Sequence, residues 1–167
     1  MGMTGYDAAA WSDFAVAVAG AAAALSGLLF VAVSINVQRI LTFANLPGRA
    51  VQTLIMLVMP LLVSVLLLIP DQPKRALGSE LILIGVCGGA PLLWLSRPAA
   101  RSPQEMAGSW LLSRAFPAAA ISLLLVVAGI TFLAEAGGGL YWVAPVVFVG
   151  LLAGLVNAWV LLVEILR

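Results

Sequence analysis

Five long apolar stretches, at about 12–41, 49–70, 78–97, 109–134 and 140–166, leave this chain little choice of solvent. Each reaches the roughly 20 mostly apolar residues that a helix needs to cross a hydrocarbon core of about 30 Å. With 63% of its 167 residues hydrophobic and only 9% charged, the chain has too little polar surface to cover a water-soluble globule. The expected fold is all-α: a polytopic transmembrane helical bundle of five spans in one domain, 1–167. The breaks NLPGR, PDQPKRALGS, SRPAARSPQEMAGS and EAGGG are short and rich in turn formers, so no soluble domain is expected between spans.

Lysine and arginine are held on the cytoplasmic side of a membrane, which gives five spans an orientation. With the N-terminus outside, Arg39, Arg49, Arg97, Arg101, Arg114 and Arg167 lie inside and only Lys74 and Arg75 outside. Six against two predicts N-out, C-in, in a cell inner membrane. The opening MGMTGYDAAAWSDF has no basic segment before its apolar run, so that run reads as a retained span and not a signal peptide. The third stretch, LILIGVCGGAPLLWL, is a poor helix in its middle and leaves open a re-entrant loop, although the arginines on its neighbours favour a full crossing.

The first stretch contains GAAAALSG, nearly devoid of side chains. At 100° per residue, Asp13, Gly20, Gly27 and Ser34 form a stripe at steps of seven, with Gln38 alongside. The last stretch repeats the device with Gly150, Asn157 and Glu164, and Gly154 completes a G-x-x-x-G. Small residues let membrane helices approach backbone to backbone, and a seven-residue period implies a left-handed crossing. The stripes therefore read as packing seams that face each other, within one chain or between chains. Aligning the middles of the two helices sets Gln38 and Arg39 level with Glu164. A carboxylate at that depth needs a partner, so an ion pair of Glu164 with Arg39 or a bond to Gln38 is expected near the cytoplasmic face, in the same chain or across a subunit boundary.

Pro60, Pro91, Pro117 and Pro145 fall inside spans, and each frees a backbone carbonyl. GVCGGAP makes Gly88, Gly89 and Pro91 a candidate broken-helix site, where unwound carbonyls could coordinate a cation as in discontinuous transporter helices. The middle of the bilayer otherwise offers no Asp, Glu, Lys, Arg or His. With no histidine and a single cysteine, Cys87, neither a catalytic constellation nor a metal or cofactor is expected. A net charge of +1 without a basic run excludes a nucleic-acid groove.

The motif W-S-D-F at 11–14, followed by G-A-A-A-A-L-S-G-L-L-F-V-A-V-S at 20–34, resembles the first span of a group of small bacterial multi-pass membrane proteins. Some of that group are labelled modulators of a membrane-bound AAA protease. The resemblance covers about one fifth of the chain and carries over no catalytic residues. It implies a multi-pass accessory protein. The partners expected are membrane lipids and either further copies of the chain, as a homo-oligomer, or another membrane protein. The functional expectation is a non-catalytic membrane protein that is a self-associating or an accessory or regulatory subunit, working through the glycine-rich seams of its first and last helices. The alternatives are a homo-oligomeric channel lined by the first or last helix and, below it, a small-molecule or lipid transporter.

Overall fold

The computed structural model describes residues 4–100 and 106–166. Among the described residues every regular element is helical, and five helices are long and apolar enough to cross a membrane: Ala8–Ile35, Leu46–Leu67, Lys74–Leu95, Ala107–Leu133 and Gly139–Glu164. The chain is a multi-pass, all-helical bundle in which short connections force each span to run against the one before it. The third span is one continuous helix. The re-entrant alternative therefore falls, because Pro73 starts a 22-residue helix that runs unbroken past Gly88, Gly89 and Pro91.

Local chemistry sets the ends. The first span stops at Asn36, which leaves the helical region at φ −103°, ψ 13° and returns its side-chain amide to the Ala32 carbonyl at 2.8 Å. A short helix, Val37–Leu41, continues beyond that break. Pro47 stands in the first turn of the second span, where its missing N–H is no loss. Gly137, Gly138 and Gly139 all take positive φ in the turn before the fifth span, which L side chains rarely tolerate.

The second span is the centre of the bundle and packs on the first, third and fifth, while the third and fourth form the most extensive pair. Glycines explain that pair. Gly78 and Gly85 on the third span are seven residues apart, and so are Ser122 and Gly129 on the fourth. A methyl added at Gly129 would lie 2.6 Å from the Gly78 carbonyl oxygen, and one at Gly85 would lie 3.1 Å from Leu125 Cβ. Gly89 sits against the Ser122 hydroxyl and Gly88 against the Met59 thioether. The glycines expected to break the third helix are thus the surface that lets its neighbours close in.

Candidate functional site

Polar side chains inside the bundle gather at the end where the second and fourth spans begin and the third and fifth finish. Gln52, Ser96, Arg114 and Asn157 come from four different spans, and each is at most 5% exposed. Burial of such groups in an apolar interior is costly unless each finds partners. Here they do.

The cluster starts from a proline. Pro117 has no N–H, so the Ser113 carbonyl four residues earlier loses its helical donor. The fourth span relieves the crowding with a π turn over Leu111–Ala115, and Asn157 Nδ2 of the fifth span reaches across to the Ser113 oxygen at 2.6 Å. The same amide also meets its own Ala153 carbonyl at 2.8 Å. Within that turn Arg114 faces inward. Its Nε donates to Gln52 Oε1 at 2.8 Å, and a terminal nitrogen donates to the Leu95 carbonyl at 3.0 Å. Leu95 ends the third helix, where carbonyls lack helical donors and the dipole favours a cation, so the guanidinium caps that helix from a neighbour. Gln52 completes the circuit by donating to Ser96 Oγ at 2.6 Å, and that hydroxyl donates to Leu92 O at 2.7 Å.

Toward the surface, Arg49 Nη1 contacts both carboxylate oxygens of Glu164 at 2.5 Å. This corrects the expected partner of Glu164, since within the chain Arg49 takes the place of Arg39 and Gln38. The cause is the break at Asn36, which ends the straight helix on which their depth was reckoned and leaves Gln38 and Arg39 exposed. Arg49 stands on the first turn of the second span, directly beside the fifth, and its side chain is 13% exposed.

The two glycine stripes part company. Gly150 and Gly154 pack on the second span and not on the first. A methyl at Gly150 would lie 2.8 Å from Pro60 Cγ and 3.0 Å from the Met56 oxygen, and one at Gly154 would overlap Leu57. The Met56 carbonyl is the one that Pro60 deprives of its donor, and Gly150 leaves no side chain in the space in front of it. Gly20 and Gly27, in contrast, have nothing within 4 Å of where a Cβ would stand, and Ser34 is exposed with them. Gly88, Gly89 and Pro91 lie in intact helix, which removes the unwound carbonyls that a cation site there required.

Sequence reasoning missed Gln52, Ser96 and the inward turn of Arg114, having read that arginine only as a topology signal. One clue was present: Arg114 lies inside the apolar stretch, three residues before a proline. Among the described residues, no three His, Cys, Asp or Glu side chains gather to hold a metal ion. The hydrogen bonds above join four spans at one level, and that is what the arrangement does chemically: it locks helix depth and rotation. In comparisons with family models, curated proteins and solved structures, the chain has no significant match.

Proposed function

We propose that this chain is a non-catalytic subunit of a bacterial inner membrane that self-associates through its first span, N-terminus outside and C-terminus inside. One observation carries the reading. The first span buries only 22% of its most apolar window, against 56% for the second, and among the described residues nothing lies within 4 Å of a Cβ at Gly20 or Gly27, with Ser34 exposed beyond them. In lipid, two helices associate through backbone approach at small residues, and a stripe with a seven-residue repeat is complementary to a second copy of itself. A stripe of the same kind on another membrane protein would fit the same face, which is the accessory or regulatory form of this role.

The orientation rests on the arginine count, which puts the Arg49–Glu164 pair and the buried cluster on the cytoplasmic side. The channel alternative keeps only the first helix as a pore lining, because the fifth span's polar stripe is engaged within the chain. The transporter alternative loses the break at Gly88, Gly89 and Pro91 on which it rested, since the third span is continuous there.

The test is the native mass of the protein in lipid nanodiscs or mild detergent, beside Gly27→Leu. A symmetric oligomer that reverts to monomer in the variant is the expected result. A monomeric wild type rejects self-association, and a ring of five or more copies with Ser34 toward its axis moves the assignment to a channel.

A further inference from the structure

We infer that the end of the bundle opposite the buried cluster holds a binding site for a primary ammonium group joined to an apolar body. A cavity of about 420 Å³ opens there between the N-terminal 3-10 turns, the connection from the second to the third span, and the end of the fourth span. Its size falls in the range of small-molecule sites, which pair an apolar wall with a few convergent polar groups. Buried Leu67, Leu77 and Phe132 form the apolar wall.

The charged groups of the lining are Asp7, Asp71 and Lys74. Lys74 is matched by Glu135, with Nζ 3.0 Å from Oε1. Asp7 accepts only a neutral backbone N–H, that of Ala9 at 3.1 Å, and among the described residues neither Asp7 nor Asp71 has an ion pair. The mouth therefore keeps two unmatched negative charges. Asp71, held in the left-handed region at φ 51°, is an exposed residue of the turn that lines the cavity.

Gln72 supplies the independent observation. It lines the cavity, its Nε2 is engaged by Glu80, and its Oε1 is buried with no donor. A buried acceptor without a donor is costly, and with Lys74 taken up by Glu135 the two aspartates and this amide oxygen are acceptors of one cavity lining that carry no cationic partner. An ammonium brings three donors and no acceptor. An anion would be repelled by the aspartates, and a neutral apolar molecule would leave Gln72 Oε1 unsatisfied. The ligand arrives with its ammonium between Asp7 and Asp71, its body on Phe132 and Leu77, and the Gln72 amide turned toward the charge. A free amphiphilic amine and the ethanolamine headgroup of a phospholipid both present this chemistry.

The full chain in phosphatidylcholine nanodiscs, titrated calorimetrically with phenethylammonium chloride and with phenethyl alcohol as the neutral match, tests the site. The expected result is at least a tenfold preference for the ammonium that shrinks with added salt. The double variant Asp7→Asn, Asp71→Asn keeps the cap acceptor and a residue tolerant of positive φ, and loses at least tenfold. Ala9→Phe, which enters the mouth from an exposed position, abolishes binding while the thermal melt is unchanged. Equal affinity for the alcohol, undiminished binding in both variants, or no heat from the folded wild type would each overturn the site. With phosphatidylethanolamine added to the nanodisc, competition in proportion to its fraction assigns the ligand as headgroup, and absence of competition assigns it as a free amine. Both of those results uphold the site.

Discussion

The first and last spans carry the same seven-residue rhythm of small and polar residues, and the fold treats them in opposite ways. In the last span Gly150 and Gly154 lie against Pro60, Met56 and Leu57, Asn157 is bonded across to Ser113, and Glu164 is paired with Arg49. In the first span Gly20, Gly27 and Ser34 face away from the chain. A small-residue stripe therefore says that a backbone can be approached, not by what. The last span meets a complementary defect, made of the second span's Pro60, the Met56 carbonyl that it strips of a donor, and Arg49, whereas among the described residues nothing comes within reach of a side chain at Gly20 or Gly27.

The sharpest way to break the comparison is Gly154→Leu. Forcing a large side chain into Leu57 should cost about 2–3 kcal/mol of fold stability, read by denaturant titration in mixed micelles. A change near zero would mean the closed stripe is not closed. Next is Asn157→Leu, which leaves the Ser113 carbonyl without its donor. Hydrogen bonds between membrane helices are modest, and a loss of about 1–2 kcal/mol is expected in the same titration. For the ion pair, a cycle of Arg49→Gln with Glu164→Gln should show coupling of about 1 kcal/mol, while Arg39→Gln with Glu164→Gln should be additive within about 0.5 kcal/mol. Coupling to Arg39 instead would restore the pairing that helix alignment suggests. The smallest effect belongs to the open stripe: Gly27→Leu should shift the stability of the monomer by under about 0.5 kcal/mol, since nothing in the chain is displaced.

The spans were legible because lipid imposes one requirement, about 20 apolar residues per crossing, and the chain meets it five times with turn formers between. Pairing was much less so. The seam that holds the third and fourth spans, built on Gly78, Gly85, Ser122 and Gly129, has the same seven-residue spacing as the two stripes that drew attention, but the GGAP sequence beside it suggested a broken helix. Glycine and proline weaken an isolated helix, yet neighbours that fill the space above them hold it intact. Within the chain Glu164 takes Arg49 and not the Arg39 or Gln38 that depth alone picks out, because the Asn36 break could not be read from hydrophobicity.

The π turn at Leu111–Ala115 has a further consequence. Relative to a regular α-helix it holds one residue more than the path requires, so the two halves of the fourth span keep different angular phases, offset by about 100°. A helical wheel drawn through the whole segment is therefore out of phase at one end. The surplus residue behaves as an insertion that the helix absorbed without lengthening its crossing. Deleting one residue from this stretch would restore a single phase and swing Arg114 about a quarter turn from the Gln52 amide and the end of the third helix. The inward arginine of this bundle is thus a property of chain length as much as of residue type.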